Sequence, residues 1–108
     1  MRRVGIAVVA GRSMLPTLHP GDRLLVAYVD RAAGVDHAAS GRIAVVRLPD
    51  RPLSVKRLGV HDPEGWWVES DNPAEGVDSW TLGRAVADAD VLAVVVARLW
   101  PRPSRLRG

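Results

Sequence analysis

Between residues 11 and 22 the chain reads Gly11-Arg12-Ser13-Met14-Leu15-Pro16-Thr17-Leu18-His19-Pro20-Gly21-Asp22, and this stretch limits the fold more than any other. Pro16 and Pro20 fix φ and remove two backbone donors, so neither a regular helix nor a central strand passes through it. Gly11 lets the backbone approach a neighbour closely, and Gly21-Asp22 is a turn signal that opens the apolar run from Leu24 to Val29. The segment is therefore expected to be stiff and irregular, to hold Ser13 in place, and to lie just ahead of a strand.

The rest of the chain is built from short β-branched runs separated by Gly, Pro and Asp, the pattern of antiparallel strands. Strands are predicted near Val4 to Val9, Arg23 to Tyr28, Arg42 to Leu48, Leu53 to Leu58, Trp66 to Glu69 and Val91 to Leu99. Asp30 to Ser40 reads as a connecting loop. Pro49-Asp50-Arg51-Pro52 and His61-Asp62-Pro63-Glu64-Gly65 read as hairpin turns, and Ala85 to Ala93 as a short helical turn around Asp88 and Asp90. At 108 residues the chain is expected to form one mostly β domain over residues 1–99, followed by a basic tail over 100–108. Pro101 and Pro103 deny that tail a regular helix, so a solvated terminus is predicted.

The net charge of +3 is modest, and Arg98, Arg102, Arg105 and Arg107 crowd the last eleven positions, so no nucleic-acid partner is expected. Cysteine is absent, which excludes disulfides, thiolate catalysis and cysteine-ligated metals. His19, His37 and His61 lie in turn-like contexts without a close-spaced carboxylate or histidine. They read as surface residues, and no metal or other cofactor is expected. Met1-Arg2-Arg3 followed by Val4 to Ala10 imitates a signal peptide, but the apolar run leads straight into the Ser13 segment. No run reaches the ~18 apolar residues of a membrane span, so no integral membrane anchor and a cytoplasmic location are expected.

A serine hydroxyl needs a group to take its proton before it can attack a carbonyl. The chain offers a single lysine, Lys56, among fourteen arginines, which keep their protons at any working pH. Period-two alternation along Leu53 to Val60 puts Lys56 on one face with Ser54 and Leu58, and Val55 with Arg57 on the other. Burial of the first face would lower the lysine pKa toward the range of a general base; an exposed strand lysine is the alternative.

Three stretches together resemble the signal peptidase I family of serine proteases. Ser13, Met14, Pro16, Thr17, Leu18, Gly21 and Asp22 match its nucleophile box. Val55-Lys56-Arg57 with Gly59 resembles its lysine box, and Asp71-Asn72-Pro73 through Asp78-Ser79 to Gly83 resembles its last box. The resemblance implies a partly open antiparallel β-barrel with at most one short helical turn. It also implies a Ser-Lys dyad, with Ser13 as nucleophile and backbone N–H oxyanion donor and Lys56 as general base. Arg57, Asp71, Asn72, Asp78 and Ser79 would support the pair, Arg57 and Asp71 as an ion pair, and Met14 and Pro16 would touch substrate. The chain departs from the pattern at several points. Gly11 stands where a serine commonly helps hold the oxyanion, Gly76 where a lysine-orienting serine is common, Ser70 replaces the last box's first glycine, and Trp80 replaces its arginine. The Pro-Gly-Asp that usually follows the lysine box is missing.

The string Gly65-Trp66-Trp67-Val68-Glu69-Ser70-Asp71-Asn72-Pro73 is similar to the nickel-type superoxide dismutase maturation proteases. That resemblance implies removal of an N-terminal extension from the dismutase precursor, with the nickel belonging to the substrate. The alternatives are signal peptidase I-like processing of secreted preproteins, a self-cleaving repressor-type protease, and a non-catalytic peptide-binding module on the same fold. The repressor type needs a scissile loop that ten residues ahead of Gly11 do not hold, and intact Ser13 and Lys56 speak against the binding module.

Overall fold

Which face each apolar run buries follows from side-chain alternation, and the runs buried on both faces take the centre of the sheet. In the computed structural model, which describes residues 3–30 and 32–106, the strands are β1 (Val4–Val8), β2 (Arg23–Tyr28), β3 (Ile43–Val46), β4 (Ser54–Asp62), β5 (Gly65–Glu69), β6 (Val91–Trp100) and β7 (Ser104–Arg105). All pairings are antiparallel, in the order β1-β2-β6-β3-β4-β5, with β7 added to β6. β3 is buried at all four residues, as its place between β6 and β4 requires. β1 and β5 end the path, so the sheet is open, in line with the mostly β, partly open architecture expected from sequence.

One core lies around Val9, Met14, Leu18, Leu24, Val26 and Val95, the other around Val46, Leu58, Trp66, Val68 and Val91. The first packs the Ser13 segment onto β2, β3 and β6; the second seats β4 and β5. Helix is confined to one α-turn, α1 (Ser79–Leu82), and two 3-10 turns at His37–Ala39 and Asp88–Asp90. Asp78 caps α1, accepting from Thr81 N at 3.0 Å, and Gly83 closes it in the left-handed region at φ 75°.

The structure corrects three readings. The tail beyond Trp100 is not a free terminus: β7 pairs with Ala97 and Arg98, Leu106 N donates to Val96 O at 3.1 Å, and the Leu106 side chain packs on the first core. Arg107 lies outside the described residues, as do Met1 and Arg2. His61 is not a surface turn residue but part of β4, with Nε2 2.8 Å from Asp88 Oδ1 and its ring against His37 and Trp66. Finally, β4 continues past Gly59 to Asp62, and a bulge lies within it. Arg57 faces Glu69 and Leu58 faces Val68, whereas His61 faces Trp66, so Gly59 and Val60 together oppose Trp67 alone.

What the strands leave open, the loops close. Asn72 N donates to Ser13 O at 2.8 Å and Asn72 Nδ2 to Arg12 O at 3.1 Å. Thr17 Oγ1 donates to Asp71 Oδ2 at 2.5 Å. Asp71 in turn receives both arms of Arg57, Nε to Oδ1 at 2.8 Å and Nη2 to Oδ2 at 2.7 Å, while Arg57 Nη1 reaches Gly41 O at 2.6 Å. The loop after β1 and the loop after β5, at opposite ends of the strand order, are thereby latched together. The Arg57 hydrogen bond, helped by that from Thr17, holds the Asp71 carboxyl below its usual pKa. Its stabilising contribution is thus present above the ordinary carboxylate range and lost as pH falls through the depressed value. We expect Asp71→Asn to cost about 2 kcal/mol near neutrality, the scale of hydrogen bonds to a charged group. In urea unfolding the deficit should shrink in acid, where the wild-type carboxyl is protonated; a deficit independent of pH would refute the latch.

Candidate active site

The Ser13 segment is held from below and from both ends. Met14 and Leu18, one helical turn apart and joined by Leu18 N to Met14 O at 2.9 Å, point into the first core, 1% and 0% exposed. At the ends Gly21 N donates to Val9 O at 2.7 Å and Val9 N to Asp22 O at 2.9 Å. The nearly buried Asp22 accepts from His19 N at 2.9 Å, and Arg98 reaches Thr17 O at 3.2 Å. Ser13 rides this frame half-buried, and among the described residues no acceptor takes its N–H. Met14, expected to touch substrate, is instead a core anchor; Pro16 is exposed.

Lys56 lies on β4 opposite Ala44 and is 2% exposed. Desolvation lowers its pKa from the ordinary 10.5; the negative charge of Asp78 pulls it back up in part, and Arg51 pushes it further down. Its Nζ donates to Ser70 Oγ at 2.8 Å. Ser13 and Lys56 meet across Gly76. That glycine has φ +79°, and a Cβ placed on it would lie 2.7 Å from Ser13 Cβ, 2.9 Å from Lys56 Nζ and 3.6 Å from Ser13 Oγ. The serine and the sole lysine therefore flank one point, with no hydrogen bond closed between them.

The other residues singled out from sequence separate by role. Asn72 clamps the backbone on either side of Ser13, and Arg57 and Asp71 latch the loops. Asp78 caps α1 and acts on Lys56 only through its charge. Ser79 is fully buried and accepts from Val68 N at 2.8 Å, tying α1 to β5 without touching the lysine. Sequence reasoning counted Ser70 only as a departure from a pattern; the structure makes it the lysine's hydrogen-bond partner. Gly11 is exposed, and a Cβ there would meet nothing within 4 Å. Among the described residues, no group of three or more His, Cys, Asp or Glu could hold a metal ion, and no helix is long and apolar enough to cross a membrane.

A small open sheet carrying a serine-bearing loop beside a buried amine has the form of a serine peptidase-type domain. A family model described as Peptidase S24-like matches residues 2–96, and with most of its length matched the chain belongs to that family. The match supports a serine-peptidase type of function and a protein substrate, and it supports the resemblance drawn from the three boxes at the level of the signal peptidase I-like superfamily. No match was found among curated proteins.

A buried amine whose folded pKa is depressed costs stability while it carries its proton. The cost is fully present below the lowered value and is relieved as pH rises toward 10.5, where the unfolded chain also loses the proton. Lys56→Met, of similar volume and uncharged, is therefore expected to raise Tm by several degrees at mildly acidic pH, on the order of 1–2 kcal/mol. The advantage should fade above pH 10.5. A Tm unchanged or lowered in acid would show that the ammonium is adequately solvated where it lies.

Proposed function

We propose that the protein is a serine endopeptidase with a Ser13–Lys56 dyad. The observation that carries this reading is a sole lysine, 2% exposed and lowered in pKa, lying with the box serine around Gly76. In the first step neutral Lys56 takes the Ser13 proton as Oγ bonds to the scissile carbonyl carbon, and the carbonyl electrons move onto oxygen. The C–N bond then breaks, the leaving amine takes the proton from the Lys56 ammonium, and an ester to Ser13 remains. Water, deprotonated by the same amine, attacks that ester, and Ser13 recovers its proton as the acid leaves. The unpaired Ser13 N–H is a donor to the oxyanion. Asn72, by holding both carbonyls next to that N–H, fixes its direction.

The substrate we propose is a protein with an N-terminal extension, specifically the precursor of a nickel-type superoxide dismutase, on the strength of the Gly65 to Pro73 string. Incubating the purified protein with that precursor and reading the new amino terminus by mass spectrometry tests it. Cleavage of a secreted preprotein instead would favour the signal peptidase-like alternative, and cleavage of neither, with binding retained, the binding module.

Two variants test the chemistry. Lys56→Met should abolish cleavage, and in the wild type kcat/KM should rise with pH through the lowered lysine pKa. Methionine is the better probe than arginine because it removes the amine without placing a permanent charge at a position that is 2% exposed. A Met variant that still cleaves removes the lysine from the mechanism. Gly11→Ser, for which the structure has open space, should speed cleavage of a generic small-residue peptide by adding a hydroxyl donor, within the ~10²–10³ that one such donor is worth. An unchanged rate in a folded Gly11→Ser protein would mean that the oxyanion site lacks nothing there.

A further inference from the structure

A neutral amine can accept a proton only along its lone pair, so a general-base lysine needs its rotation about Cε–Nζ fixed as well as its position. Two neighbours bear on that rotation. On one side Gly76 offers no side chain and admits none, since its φ of +79° and the 2.7 and 2.9 Å approaches to Ser13 Cβ and Lys56 Nζ leave no room for a Cβ. On the other side Ser70 Oγ takes a hydrogen from Nζ at 2.8 Å, the one side-chain hydrogen bond that Lys56 makes among the described residues. Ser70 follows directly on β5. The bulge in β4 brings it opposite Lys56, since Arg57 faces Glu69 one step earlier in the ladder.

Building on the Ser13–Lys56 reading, we infer that Ser70 is the positioning residue of the base: its hydroxyl oxygen holds one N–H of Lys56 and so aims the lone pair past Gly76 toward Ser13. The hydroxyl acts through the lysine and touches neither substrate nor the reacting carbonyl. Asp71, the next residue, is occupied by Arg57 and Thr17, which keeps a carboxylate from taking the amine as a counter-ion and fixing its proton. A neutral hydroxyl can orient the amine without that consequence.

Because Lys56 is the sole lysine, protein grown on ¹³C-lysine gives a signal for this side chain alone, and no substrate is needed to read it. In the wild type the two ε-protons should have distinct shifts, as in a side chain held in one conformation. Ser70→Ala should merge them, and Ser70→Thr, which restores the hydroxyl, should keep them apart. With a cleavable peptide, Ser70→Ala should lower kcat about tenfold, the worth of one hydrogen bond, with KM unchanged, and Ser70→Thr should stay within about twofold of wild type. Distinct ε-protons and unchanged or raised kcat in Ser70→Ala would overturn the inference. If Ser70→Ala does not fold, Ser70→Cys, similar in size but a poor acceptor, carries the same comparison. Activity surviving in Lys56→Met would sink the dyad, yet the ε-proton signals would still decide whether Ser70 holds the amine.

Discussion

The carboxylate of Asp71 is the point on which the two ends of the sheet meet. Strand pairing alone leaves β1 and β5 apart, and the Ser13 segment hangs from the β1 side while Lys56 belongs to the β4–β5 side. A bidentate Arg57, a threonine hydroxyl and the neighbouring Asn72 amide join them. Charge-assisted bonds of this kind fix direction as well as distance, because the guanidinium fork fits a carboxylate in one plane. That plane, with the two Asn72 bonds, ties the loop that carries the serine to the loop beside the lysine.

The same region shows a division of labour between adjacent residues of one strand. Lys56 points inward, where removal from water lowers its pKa, and Arg57 points outward, where its permanent charge is paired and its pKa is raised chiefly by the hydrogen bond to Asp71. Alternation in a strand makes the arrangement automatic once the register with β3 is set, Ala44 opposite Lys56 and Ile43 opposite Arg57. A buried amine bonded to a neutral hydroxyl rather than to a carboxylate is a burden on folding stability, and an arginine in its place would keep its proton. A lysine is therefore suited to proton transfer here and poorly suited to holding the fold together.

Much of this was legible in the sequence where local chemistry decides the outcome. β2 begins and ends at the residues read from its flanking Gly21-Asp22 and Asp30, and the inward face of Lys56 and Leu58 follows from period two. The Arg57–Asp71 pair came from the box resemblance and is present. Long-range geometry was not legible. Gly59 looked like the end of β4, but the glycine is there because a Cβ would lie 2.8 Å from Trp67 O, a close backbone approach inside a continuing hairpin. The prolines at 101 and 103 suggested a solvated terminus without regular structure, whereas just after Pro103 the chain pairs Ser104 and Arg105 with β6. Met14 belongs to a motif that resembles a substrate-contacting box, yet its side chain faces the core, because segment 14 to 18 turns once and presents Met14 and Leu18 on one side.

The bulge in β4 sets the identity of the group that faces the amine. Asp62 opposite Gly65 and His61 opposite Trp66 define the ladder at the turn; carried on without an extra residue, that ladder would set Lys56 against Asp71 and Arg57 against Ser70. Gly59 and Val60 absorb one residue and move the assignment by one place. With both residues kept and the ladder regular, the lysine would face a carboxylate and the arginine a hydroxyl, with every side chain of the two boxes still present in the sequence. Chemistry in this sheet is thus encoded by a count of residues as much as by their kinds.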